Sequence, residues 1–241
     1  MQSFSITDIG QKRSVNQDYV YCHDDPIGNL SNLYLVADGM GGHKAGDLAS
    51  HCAVDTMVEE VKQITLKTPV SILSEAIAKA NQAVIEKAGS SEEYEGMGTT
   101  LVAATVMNDL LYVANIGDSR LYLIRDGEIT QITVDHSLVE AMVQTGELLK
   151  EDARFHPHKN VITRAVGTNP FVEADYFELQ LKTDDVIVMC TDGLSNMLYD
   201  SEIKRAVSES GEDLEAAGRL LVQRANEEGG RDNIGVVLVR I

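Results

Sequence analysis

Four aspartates in this 241-residue chain share one local setting. Asp38 follows the apolar run Leu33–Ala37 and precedes Gly39. Asp118 follows Val113-Ala-Asn-Ile-Gly117, Asp192 lies between Val188-Met-Cys-Thr191 and Gly193, and Asp232 precedes Asn233-Ile-Gly-Val-Val237. Each stands where a hydrophobic strand begins or ends, beside a glycine or another turn-former. One such aspartate is read as a turn residue; four of them make a shared site at a sheet rim more credible than four coincidences. Converging carboxylates would repel and raise one another's pKa unless a cation sat among them. An oxygen-only set with no Cys/His cluster selects Mg²⁺ or Mn²⁺ over structural zinc. Two such ions about 4 Å apart would acidify a water near neutral pH and clamp a phosphoryl oxygen. Phosphate-monoester hydrolysis is the reaction most in need of that help. Arg13, in Gln11-Lys-Arg-Ser-Val-Asn-Gln-Asp18, supplies a cation whose guanidinium forks onto two phosphate oxygens.

These residues need elements to hold them. Residues 3–7 and 19–23 alternate like strands, separated by the turn Gly10-Gln-Lys-Arg-Ser14, and residues 32–37 read as a third strand. Glycines 39, 41, 42 and 46 then let neighbouring backbone come close before a helical pattern over about residues 45–61. A second helix is framed by Thr68 as N-cap, Pro69 in the first turn and a stop at Gly89. Short strands follow over 99–107, 110–116, 120–125 and 128–133, with Asn108-Asp109 and Asp126-Gly127 as tight turns. The segment 137–167 breaks this meander with helical fragments at 138–145 and 150–154, and its size suggests a lid or recognition element. Strands are expected again at 171–181, 185–191 and 233–241, with a helix over about 212–226. Helices with one apolar face beside many antiparallel strands give an α+β fold, with helices packed outside stacked sheets. The absence of repeats and linkers makes 1–241 one expected domain.

A net charge of −18 argues against a nucleic-acid partner or an anionic membrane surface, since no basic stripe is present to displace counterions. Cys22, Cys52 and Cys190 form no C-x-x-C pair and are read as reduced core thiols. No apolar run is long enough to span a bilayer, and Met1-Gln-Ser-Phe-Ser-Ile6 lacks the basic and apolar regions of a signal peptide. The expectation is a soluble, cytoplasmic protein with no membrane insertion.

Taken together, Gly10-x-x-Arg13-x-x-Asn16-Gln17-Asp18 and Asp38-Gly-Met-Gly-Gly-His43-x-Ala-Gly46 resemble the metal-dependent serine/threonine protein phosphatases of the type-2C (PPM) family. So do Gly98-Thr-Thr100, Gly117-Asp-Ser-Arg120, Asp135-His-Ser137, Thr163-Arg-Ala165, Thr191-Asp-Gly193 and Gly230-x-Asp232-Asn233, in the family's order along essentially the whole chain. The resemblance implies a central sandwich of two antiparallel sheets flanked by helix pairs, with a metal channel at one end and 137–167 as the variable flap. It implies that Asp38 bridges two metals and that the Gly39 carbonyl binds the second. Asp192 and Asp232 complete the first metal's protein ligands, and Asp18 holds the second metal's water shell. Asp118, with Asp192, matches the weaker third-metal site of bacterial members, while Arg13 takes the substrate phosphate. A bridging hydroxide then attacks phosphorus directly, without a phosphoenzyme.

One departure from animal members is that Met40 replaces the histidine directly after Asp-Gly; the histidine here is His43, as in the bacterial branch. General acid or orienter, and packing at the helix start, both remain open for it. The implied partners are phosphorylated proteins, namely a serine/threonine kinase and its substrates, and a monomer is expected. The rival reading is a catalytically silent, phosphatase-like binding module, which has no need of Asp38, Asp192, Asp232 and Arg13 together. A two-metal nuclease is disfavoured by the acidic balance, and a P-loop by the missing Gly-Lys-Ser/Thr ending.

Overall fold

The computed structural model describes residues 1–42 and 45–241. In chain order the elements are β1 (Gln2–Asp8), β2 (Asp18–His23), β3 (Leu33–Met40), α1 (Ala45–Gln63), α2 (Pro69–Ala88), β4 (Gly98–Thr99), β5 (Leu101–Met107), β6 (Leu110–Ile116), β7 (Arg120–Arg125) and β8 (Glu128–Gln131). Then come α3 (Leu138–Gln144), α4 (Lys150–Ala153), β9 (Asp175–Gln180), β10 (Val186–Cys190), α5 (Asp192–Ser195), α6 (Asp200–Glu209), α7 (Leu214–Glu227) and β11 (Ile234–Arg240). One sheet runs β1-β11-β10-β7-β8. The other runs β2-β3-β5-β6-β9, with β4 beside β3.

Side chains alternate across a strand, and here both faces are covered. Leu33, Leu35 and Ala37 of β3 pack toward α1 and α2 with Ala49, Ala53, Met57, Leu73 and Ile77. The alternate residues Tyr34 and Val36, with Val102 of the neighbouring β5, face the second sheet and meet Leu121, Ile187, Met189 and Val237. On the far side Val188, Cys190, Val236 and Leu238 meet Ile203, Leu221 and Ala225 from α6 and α7. The result is an α/β/β/α stack whose central strands read as continuous apolar runs because neither face meets water. Each fully buried Leu, Ile or Val contributes roughly 1.5–3 kcal/mol of transfer free energy.

Local chemistry fixes the connections. Asn108, Asp109, Asp126 and Gly127 all take positive φ, the geometry of a hairpin turn matched to strand twist. Thr68 caps α2 by accepting the Ser71 amide proton. The segment between β8 and β9 is closed at its base, where Ser137 bridges Ile162 and the Thr163 amide donates to the His136 carbonyl at 2.8 Å.

Several expectations need correction. The strand expected at 171–181 forms only over Asp175–Gln180, and Phe171 is 94% exposed. The run 99–107 breaks at Thr100, whose hydroxyl and amide are drawn to the Asp38 backbone, and the 128–133 strand stops at Gln131. Helix α6 escaped the periodicity reading because only Ile203, Ala206 and Val207 form its buried stripe. Of the three thiols only Cys190 is fully buried; Cys22 and Cys52 are half-buried.

Candidate metal centre

Antiparallel pairing carries the aspartates to one end of the sandwich. Asp18 opens β2 and stands directly opposite Asp38 near the end of β3. Asp192 follows β10 and Asp232 precedes β11, its antiparallel neighbour. Asp118 lies in the turn from β6 to β7, which belong to different sheets, so the rim takes carboxylates from both.

The packing around each one is specific. Asp18 is buried; its Oδ2 accepts the Thr191 hydroxyl proton at 2.7 Å, while its buried Oδ1 has no hydrogen-bond partner. Thr191 Oγ1 in turn accepts the Gly235 amide proton at 2.8 Å, tying β10, β11 and β2 together at the site. The Asp38 amide donates to Thr100 Oγ1 at 2.9 Å, and its carbonyl accepts from Thr99 Oγ1 at 2.9 Å. Gly39, in β3, donates its amide proton to the Gln17 carbonyl at 3.0 Å. Asp192 Oδ2 accepts from Asn196 Nδ2 at 2.9 Å, whereas its buried Oδ1 has no partner. A Cβ on Gly193 would lie 1.8 Å from the Asn233 carbonyl, so the chain after Asp192 can touch the start of β11 only with glycine there.

Arg13 sits at the mouth, half exposed, with Nη2 donating to Asp232 Oδ2 at 2.7 Å. Its loop is pinned by Asn233, whose Nδ2 donates to the Ile9 and Val15 carbonyls at 2.9 and 3.0 Å and whose Oδ1 accepts the Gln17 amide proton. His43 lies outside the described residues.

The rim crowds buried carboxylates together, a repulsion that a bound cation would relieve. Burial, then repulsion from Asp18, Asp192, Asp118 and Asp232, pushes Asp38 well above the usual carboxylate range. Burial and the neighbouring carboxylates do the same to Asp18. Asp192 is pushed up to about 6, by burial first and Asp232 second. Asp118 rises to about 8 through burial, Asp192 and Asp135. Among the described residues no group of three or more Asp, Glu, His or Cys side chains already stands in a geometry that could hold a metal ion, so the rim's carboxylates would have to draw in around one. A set of carboxylate and carbonyl oxygens suits a hard divalent ion that keeps part of its water shell, as Mg²⁺ does. The two orphaned buried carboxylate oxygens and the all-oxygen donor set agree with it.

A cleft of about 610 Å³ adjoins the rim, lined by Asp118, Arg120, Arg154, Phe155, Asp192 and Tyr199. Arg154 stacks on the Tyr199 ring at 4.1 Å and donates to the Asn196 carbonyl at 2.9 Å, docking the 137–167 segment on the chain after Asp192.

The structure therefore brings Arg13, Asp18, Asp38, Gly39, Asp118, Asp192 and Asp232 to one end of the molecule. Sequence reasoning missed the supports. Thr191 and Asn233 carried a signal as polar neighbours of two of the aspartates, and Thr99 and Thr100 only as members of Gly98-Thr-Thr100 and the start of a strand. Asn196 carried no signal.

A helix-flanked double sheet whose strand ends gather acidic, cation-seeking oxygens beside one arginine is the framework of a metal-dependent phosphoesterase. Comparison with known proteins agrees. The Protein phosphatase 2C family description matches residues 10–238. The chain is 40% identical over 239 residues to the serine/threonine phosphatase Stp of Listeria monocytogenes, covering 97% of this chain and 93% of that protein. The S. agalactiae serine/threonine phosphatase superposes with a TM-score of 0.92 at 36% identity, over 100% of this chain and 99% of that one. The catalytic domain of the serine/threonine protein phosphatase PstP, solved in complex with two manganese ions, gives a TM-score of 0.86 at 32% identity, over 98% and 96%. The chain belongs to the protein phosphatase 2C family and is a metal-dependent serine/threonine phosphoprotein phosphatase. Among the described residues no helix is long and apolar enough to cross a membrane.

Proposed function

We propose that residues 1–241 form one catalytic domain that holds two Mn²⁺ or Mg²⁺ ions tightly and a third more weakly. Asp38, Asp192 and Asp232, with the Gly39 carbonyl, are the direct ligands, Asp18 acts through ordered water, and Asp118 serves the weaker ion. When bound, the ions supply an acidified water as nucleophile near neutral pH and neutralise charge on the phosphoryl group. Arg13 binds the phosphate: its Nη2 already reaches the rim through Asp232, and its other donors are directed by a loop that Asn233 pins. Thr191 holds Asp18 so that one oxygen faces the site, and Asn196 does the same for Asp192. The segment 137–167 selects substrates beside the cleft, and His43 is assigned to proton transfer or to the helix start.

The observation that carries this reading is the pair of buried, partnerless oxygens on Asp18 and Asp192 amid carboxylates that raise one another's pKa. A catalytically silent module has no use for that destabilising arrangement. On this reading the enzyme opposes a serine/threonine kinase in the cytoplasm and works as a monomer.

The test is turnover of a phosphothreonine peptide with Mn²⁺ and with chelator, for the wild type and Asp38→Asn. Turnover should vanish with chelator and fall at least about a hundredfold in Asp38→Asn. Equal rates with metal and with chelator would sink the reading.

A further inference from the structure

The turn that presents Asp118 is clasped from behind by a histidine that the assigned chemistry leaves unused. Gly117, at φ +104, precedes Asp118, and a Cβ there would lie 2.6 Å from Thr100. Buried His136 makes two hydrogen bonds to this glycine. Its Nδ1 accepts the Gly117 amide proton at 3.0 Å, and its own amide donates to the Gly117 carbonyl at 2.9 Å. A backbone amide can only donate, so Nδ1 carries no proton and the ring is the Nε2–H tautomer. With Nδ1 accepting, the Nε2 proton faces Asp175 Oδ2 at 3.2 Å, beside Arg164 Nη1 at 3.1 Å. Arg164 Nη1 fixes the same carboxylate through Oδ1 at 2.7 Å and also donates to the Glu173 carbonyl at 2.9 Å. Burial holds the ring's affinity for a second proton below the ordinary histidine range, which keeps the acceptor available. The backbone of His136 is itself anchored. Neighbouring Asp135 takes three guanidinium bonds from Arg120, and the His136 carbonyl accepts the Thr163 amide proton at 2.8 Å from the far side of the 137–167 segment.

We propose that His136 is a positioning residue for Asp118: a carboxylate–histidine–amide chain from Asp175 fixes the turn that offers the weaker metal its ligand. This rests on Asp118 being that ligand. It also ties the base of the 137–167 segment to the rim through one side chain.

Two substitutions divide the ring's two roles. In His136→Asn the amide oxygen takes the place of Nδ1 and keeps the Gly117 bond; in His136→Gln the side chain reaches Asp175 and loses Gly117. The readouts on the full-length chain are Mn²⁺ titration calorimetry and exchange of the Gly117 amide proton in chelator. His136→Gln should weaken only the weaker Mn²⁺ site, by about tenfold or more, and accelerate Gly117 exchange by a similar factor. His136→Asn should stay within about twofold of wild type on both, a rescue that generic loss of a buried ring would not give. Asp175→Ala, at a partly exposed position, frees the tautomer and orientation that the imidazole, unlike an asparagine amide, needs fixed; it should therefore accelerate Gly117 exchange too and serves if the glutamine variant fails to fold. Unchanged exchange in His136→Gln, or in Asp175→Ala where that variant stands in, overturns the proposal, as do equal losses in the two His136 variants. If Asp118→Asn leaves the weaker site intact, it is the ligand assignment that fails, and the exchange data then report on the turn alone.

Discussion

Replacing Asp118 by asparagine should make the metal-free enzyme more stable, the reverse of what loss of a ligand usually suggests. Asp118 is buried in the rim, where burial, Asp192 and Asp135 push its carboxyl up to about 8 from the ordinary 3.8. A carboxyl raised on folding costs nothing below its unfolded pKa and destabilises progressively as pH rises from there to the folded value. At pH 7 the gap is about three units, or roughly 4 kcal/mol at 1.36 kcal/mol per unit. Asp192 shares the repulsion, so that figure is a ceiling, and a gain on the order of 2 kcal/mol is expected once the desolvation of the asparagine is included. For a chain of this length that is a rise in Tm of about 4–8 °C. The assay is urea unfolding in chelator at pH 5.5, 7 and 8. The wild type should weaken across the series and Asp118→Asn should weaken less. With Mn²⁺ at about a hundred times Kd, binding adds roughly 2.7 kcal/mol, and both proteins should keep most of that gain if the tight sites do not use Asp118. A variant no more stable than wild type at pH 7 in chelator refutes the electrostatic account of the rim.

Arg13→Ala should raise KM for a phosphopeptide about tenfold or more while leaving tight Mn²⁺ binding in place, since Arg13 touches the metal set only through Asp232; an unchanged KM removes it from the phosphate site. Far from the rim, Asp185 is nearly fully buried; burial raises its pKa, but the fork from Arg125 and the Lys182 amide outweigh that and leave it below the ordinary value. Its contribution is therefore present above about pH 4 and lost as pH falls further. Asp185→Asn should cost roughly 2–4 kcal/mol at pH 7 and flatten acid unfolding below pH 4, measured by circular dichroism; an unaltered acid limb contradicts the pairing.

What the sequence disclosed and withheld follows from the range of each signal. Strand and helix periodicity is local, so β6, β7 and α2 were legible to the residue, while β3 runs three residues past its expected end at Ala37, and the aspartates stood out because each lies close to an end of such a run. The supports of the site are contacts between distant segments. Thr191 bonds Asp18 and Asn233 bonds Val15, with no periodic mark to betray them. Helix α6 was hidden by its narrow apolar stripe, and the short β9 by apolar residues at 171–174 that continue the strand pattern but do not pair.

The rim draws its oxygens from both sheets and from both ends of the chain, with Asp18 and Asp38 on one layer and Asp192 and Asp232 on the other. No half of the polypeptide can assemble it alone, so a divalent ion can be captured only after the two layers have docked. With the ligands proposed above, the ion would act as a late clasp. An interaction absent from the folding nucleus slows opening and leaves the rate of formation nearly untouched, which is the expected effect of such a clasp. Resistance to unfolding in a cell would then track the free divalent-ion level rather than the amount of apolar surface buried.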